Sequence, residues 1–224
     1  SNATKIAFLG PAGTFTEAAL QQMASEFAAV EPLPVDSPAA AVNAVRAGEA
    51  DYACVALENS VDGAVTATSD ALVDGDAVQI YREVDLSVAF SIMVRPGTKP
   101  NDVRTFSTHP VAFQQARGWL AENLPAATFV AASSNGAAAQ AVLREVDAAA
   151  APTRAAELFE LDTLADAVAD VQGATTRFVL AGLPGKPTTR TGRDKTAVVF
   201  TLPNEPGSLV GALEEFAHRG VDLS

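Results

Sequence analysis

Short apolar runs alternate along the chain with longer stretches in which an apolar residue recurs every three or four positions, and this continues from Thr4 to about residue 182. Alternation of this kind predicts an α/β protein built on sheets with covering helices. The runs predict strands at 5–9, 50–57, 78–84, 86–94, 103–107, 128–131, 147–151 and 178–181. Leu20, Met23 and Phe27 predict a helix over 17–28, and Phe113, Ala116 and Leu120 predict one over 111–123. Helices are also predicted at 66–72 and 137–145, while the acidic stretch 162–170 reads as helix or loop. Residues 183–195, polar, basic and rich in Pro and Gly, form a predicted linker. After it come a strand at 196–202, a turn at 204–208 and a helix at 209–218 stopped by Gly220. One strand and one helix bury too little surface to fold alone, so 196–224 is expected to be part of a second domain or to pack on something else.

With 224 residues and 48% hydrophobic content, the chain can bury a sizeable core, which excludes a disordered tail or a small disulfide-stapled module. The net charge is −12, and all of the excess lies before residue 183: 10 basic against 22 acidic residues through Gly182, then 5 against 5. A nucleic acid or an anionic membrane surface is therefore not expected as a partner. The most apolar stretch, 124–143, is interrupted by Ser133, Ser134, Asn135 and Gln140, so no transmembrane helix is predicted. Cys54 stands alone within Tyr52-Ala53-Cys54-Val55-Ala56 and reads as a buried thiol in a reducing compartment. Residues 1–3 read as a remnant of tag cleavage rather than a targeting signal, and the expected location is cytoplasmic.

Several predicted strands end in loops that open helices. Gly10-Pro11-Ala12-Gly13-Thr14-Phe15-Thr16 can turn tightly and converge backbone N–H groups on one point, with Thr14 and Thr16 as caps. Such a point suits a carboxylate or phosphate, but the loop matches neither nucleotide-binding glycine pattern. Glu58-Asn59-Ser60 repeats the logic, as do Ser107-Thr108-His109-Pro110 and Ser133-Ser134-Asn135-Gly136. Each loop alone is also compatible with an ordinary capped helix start. His109 and His218 are the only histidines, and without carboxylates at ligand spacing no metal is expected. Thr175-Thr176-Arg177-Phe178 places two hydroxyls and a guanidinium at one strand entrance, where Arg can hold a carboxylate bidentately or serve structure alone. A threonine hydroxyl is too weak an acid to act without a neighbour.

Together these pieces resemble the prephenate dehydratase family joined to the start of an ACT regulatory domain. The family's G-P-x-G-T-F-[ST] stands at 10–16, its E-N-S-x-x-G-x-V at 58–65 and its T-R-F at Thr176, Arg177 and Phe178. Its S-H-P-Q-A-x-x-Q appears as Thr108-His109-Pro110-Val111-Ala112-Phe113-Gln114-Gln115, with Thr and Val replacing the usual Ser and Gln. Asn135 stands where Thr is frequent and Ala174 where Asn is common, while Asn204-Glu205-Pro206-Gly207-Ser208-Leu209 resembles the ACT entrance.

The resemblance implies a two-lobed catalytic domain of the type-II periplasmic-binding-protein kind over 4–182, and an α+β ACT unit beginning at 196. Lobe one would hold 4–76 and 176–182, and lobe two 77–175. The implied reaction turns prephenate into phenylpyruvate with loss of carbon dioxide and the ring hydroxyl, without a cofactor. Thr176 would be catalytic, and Thr14, Phe15, Thr16, Asn59, Ser60, Thr108, His109, Gln115, Arg177 and Phe178 would bind substrate. Pro206, Gly207, Ser208 and Leu209 would meet L-phenylalanine as allosteric effector in a homodimer or homotetramer, although the family's E-S-R-P effector motif is absent from this sequence. Arogenate dehydration, or binding of a small anion without chemistry, are the alternatives.

Overall fold

The computed structural model describes residues 3–224. The chain falls into two compact units, one running to Thr188 and another spanning Thr189–Ser224. The first holds β1 (Thr4–Leu9), α1 (Phe15–Met23), β2 (Val30–Val35), α2 (Pro38–Arg46), β3 (Tyr52–Asn59), β4 (Gly63–Ala64), α3 (Thr66–Val73), β5 (Gln79–Ser87) and β6 (Phe90–Val94). A 3-10 turn (Pro100–Asp102) then leads to β7 (Thr105–Thr108), α4 (Pro110–Asn123), β8 (Thr128–Ala131), α5 (Asn135–Ala141), β9 (Ala148–Ala151), α6 (Thr153–Leu158), β10 (Asp162–Val168) and β11 (Thr175–Gly182).

Two sheets define two lobes. Lobe one is ordered β2-β1-β3-β11-β5, with β4 paired to β3, and lobe two is ordered β10-β6-β9-β7-β8. The chain passes between them at Val88-Ala89 and returns through 169–174, where the Val88 N–H donates to the Ala174 carbonyl at 2.8 Å. The crossing expected at residue 77 therefore comes later: β5 runs antiparallel to β11 along its length and belongs to lobe one.

Strand alternation sorts the lobe-one core onto two faces. Ile6, Phe8, Cys54, Phe178 and Leu180 meet Ala19, Leu20 and Met23 of α1, while Ala7, Ala53, Val55 and Val179 meet Ala41, Val42 and Val45 of α2. In lobe two, β9 is four alanines, all at 0% exposure. A central strand covered on both faces needs no polar side, and its small side chains let helices approach closely. Ala148 and Ala150 join the α4 core, and Ala149 and Ala151 the α5–α6 core.

Three strands lie outside the predicted set, the two-residue β4 among them. β2 contains Pro32 and Pro34, which argue against a central strand, but it is an edge strand pairing with β1 alone. The acidic stretch forms the edge strand β10, with two register shifts against β6 and Ala167 at φ 53°.

In the second unit, α7 (Ser208–His218) follows Gly207, whose φ of 88° favours glycine. The predicted strand at 196–202 is not formed: these residues have no pairing partner among those described, and Val199 is 71% exposed. None of this unit's described residues is buried. A strand needs a ladder, and one helix cannot supply it.

Candidate active site between the two lobes

Lobe one contributes the ends of β1 and β3 and the start of β11. Antiparallel pairing puts Thr176 opposite Asn59, and the Asn59 Nδ2 donates to Thr176 Oγ1 at 2.9 Å. The other end of the Asn59 amide is held by two backbone donors, the N–H groups of Val61 at 2.9 Å and Asp62 at 3.1 Å. Those bonds fix which way the amide points. Thr176 Oγ1 therefore accepts a hydrogen bond, and its own proton remains available to another acceptor. Ser60 fastens the pair: its N–H donates to the Thr175 carbonyl and its Oγ accepts from the Thr175 N–H, both at 2.9 Å.

Arg177, next along β11, projects from the opposite face. Its Nε donates to Asp85 Oδ1 at 3.1 Å, with Glu83 and Glu58 each 3.7 Å away. The Asp85 hydrogen bond, opposed by burial and reinforced by the charges of Asp85, Glu83 and Glu58, pushes the guanidinium pKa above its ordinary value. Arg177, expected to bind substrate, is thus engaged by carboxylates of its own lobe. Phe178, also expected to bind substrate, is 2% exposed in the α1 core. A kink in the pairing between Arg177 and Phe178 accommodates an extra residue on β3.

The Gly10 loop caps α1. Thr14 Oγ1 accepts from the Glu17 N–H at 3.2 Å, and Glu17 Oε2 accepts from the Gly13 N–H at 2.8 Å. Thr14 and Thr16 are each 8% exposed. Phe15 packs in both lobes' cores and meets Phe90 edge to face at 5.4 Å. The N–H groups of Phe15 and Thr16 have no acceptor among the described residues, as expected for the first two positions of a helix.

Lobe two contributes the ends of β7, β8 and β9. Thr108, fully buried, lies 2.9 Å from the Ala150 carbonyl and 3.1 Å from Asn135 Oδ1, which also accepts the His109 N–H at 3.2 Å. His109 caps α4 by accepting the Val111 N–H on Nδ1 at 3.2 Å, so its Nε2 side faces away from the cap. Gln115 is partly buried, and its carbonyl accepts from the Asp170 N–H at 2.6 Å. Asn135 comes from one of the predicted helix-opening loops, whereas nothing in the local sequence marks the chain Thr153–Ser91–Asp166, linked by two 2.7 Å contacts.

Among the described residues there is no group of three or more His, Cys, Asp or Glu placed to hold a metal ion, and no helix long and apolar enough to cross a membrane. A groove of about 190 Å³ lined by Phe106, Phe113, Leu120 and Phe129 contains none of the cleft residues above.

Known proteins resemble this chain in sequence and fold. A family model described as prephenate dehydratase covers residues 6–184. The prephenate dehydratase of Corynebacterium glutamicum is 56% identical over 226 residues, covering 99% of this chain and 72% of that protein. A prephenate dehydratase from Arthrobacter aurescens, solved in complex with L-Phe, superposes with a TM-score of 0.89 at 44% identity, covering 99% of this chain and 74% of that one. The Staphylococcus aureus prephenate dehydratase shares the fold, with a TM-score of 0.77 at 21% identity over 99% of this chain and 81% of that one. A match of this extent, on a chain whose T-R-F and E-N-S segments meet across one strand pair, makes this chain a member of the prephenate dehydratase family.

Proposed function

We propose that the cleft converts prephenate to phenylpyruvate with Thr176 as the proton donor to the departing hydroxyl. The observation that carries this reading is the one-way run of hydrogen bonds from the Val61 and Asp62 N–H groups into Asn59, and from Asn59 into Thr176. Each donor in such a run polarises the next, which strengthens the Thr176 hydroxyl as a donor. In the reaction the ring carboxylate leaves as carbon dioxide, its bonding electrons enter the ring, and the hydroxyl departs from the opposite ring position as water after taking a proton. Aromatisation drives the step, so the protein's task is to align the two breaking bonds and stabilise the leaving oxygen.

The dianionic substrate enters an acidic domain, so local donors must hold it. The uncapped N–H groups of Phe15 and Thr16 are suited to one carboxylate, and the Thr108–His109–Asn135 edge of lobe two to the rest of the molecule. Arg177 contributes from behind, holding Glu58, and with it the end of β3, in place. An ultraviolet assay of phenylpyruvate tests the reading: turnover of prephenate is expected, and binding without product would overturn it in favour of a binding protein. Measuring kcat/KM on arogenate alongside prephenate separates the two dehydratase activities.

Residues 196–224 we assign to an ACT unit, with Pro206-Gly207-Ser208-Leu209 at the helix start as the effector contact in an oligomer. The L-Phe complex of the Arthrobacter protein supports that assignment. Equilibrium dialysis with L-phenylalanine tests it; retention that survives Gly207→Val would reject this contact. The enzymatic role fits a cytoplasmic setting.

A further inference from the structure

Glu17 lies on α1 in lobe one, yet its carboxylate joins both lobes. Its side chain is 8% exposed, and Oε1 receives Nε and Nη2 of Arg154, from α6 in lobe two, each at 2.8 Å. Oε2 meanwhile holds the Gly13 N–H of the glycine loop. A buried carboxylate is tolerated only with good partners, and this one draws them from opposite sides of the cleft. The surrounding contacts are close: a Cβ on Gly136 of α5 would collide with the Ala12 carbonyl, and one on Gly13 would come within 3.2 Å of Ala155 Cβ.

We propose that Glu17 and Arg154 are positioning residues, an interlobe latch that sets the width of the cleft before substrate arrives. The proposal rests on the cleft being the site of prephenate chemistry. A preset width reduces the ordering that binding would otherwise require, so the latch acts on affinity. A substrate that touches both walls holds them together at saturation, leaving the chemical step largely unchanged.

Arg154→Met removes the guanidinium while keeping the stem. KM for prephenate is expected to rise about tenfold with kcat within about twofold, because a smaller fraction of the protein is competent to bind. Arg154→Lys, which keeps the cation with fewer donors, is expected to fall between Met and Arg. Unchanged KM in the Met variant, or loss of kcat at constant KM, overturns the proposal.

A second measurement needs no substrate. Spin labels at Asp36→Cys in lobe one and Asn101→Cys in lobe two, both exposed positions, report the distance between lobes. Cys54 will not compete for label, since it is 0% exposed and burial pushes its thiol pKa up to about 12. Arg154→Met and Arg154→Lys should broaden the distance distribution in that order of severity, and distributions identical to the parent's would defeat the latch. Absence of turnover in the parent would defeat the functional reading alone.

Discussion

The two faces of β11 at Thr176 and Arg177 are adjacent in sequence and opposite in kind. On one face a hydroxyl accepts a bond from Asn59 and keeps its proton in hand; on the other a guanidinium is engaged by three carboxylates. A polar group with its capacity filled holds structure, and one with capacity left over can act on a ligand. The proposed proton donor is thus the neutral side chain, whose hydroxyl keeps its proton, while the guanidinium Nε is spent on Asp85.

The comparison breaks most readily at Thr176. Thr176→Ala should lower kcat about a thousandfold, as expected for loss of a proton donor, with KM changed far less; steady-state kinetics showing near-parental turnover would end the assignment. Thr176→Ser should keep much of the rate. Removing the preceding donor comes next: Asn59→Ala should lower kcat about a hundredfold, similar to losing one preorganised hydrogen bond in an oxyanion site. A normal kcat in that variant would show that Thr176 needs no polarising partner.

Arg177→Gln probes the other face. It leaves Glu58, Glu83 and Asp85 facing one another, which should cost about 1 kcal/mol of stability in denaturant titration, as for a partly exposed ion-pair network. Through the loosened end of β3, kcat/KM should fall about tenfold, less than for Thr176→Ala. An equal loss would mean that Arg177 meets the substrate after all. The smallest effect is expected for removal of residues 189–224, where no described residue is buried: the melting temperature should move by less than about 2 °C, because little apolar surface is at stake.

Features carried by short local patterns were legible in the sequence. The Gly10 loop, the Asn59 turn and the Ser134 cap each announce themselves within a few residues, because caps and turns are made by neighbours. The strand at 128–131 was legible to the residue. The edge strands β2 and β10 were not: β2 hides behind two prolines and β10 behind five polar or small residues. Nor could spacing pair Arg177 with Asp85, 92 residues away, or Glu17 with Arg154, 137 residues away. The Thr14-x-x-Glu17 spacing signals a helix start, and nothing near it signals the arginine.

The bond between Val88 and Ala174 joins the two crossings directly beside Thr175 and Thr176. A lever moves least at its fulcrum. If the lobes swing about these crossings, the wall carrying His109 and Arg154 sweeps the longer arc, while the hydroxyl of Thr176 stays close to the axle. Opening to admit substrate can then proceed without dismantling the Asn59–Thr176 pair, and the proposed proton donor need not be rebuilt on every turnover.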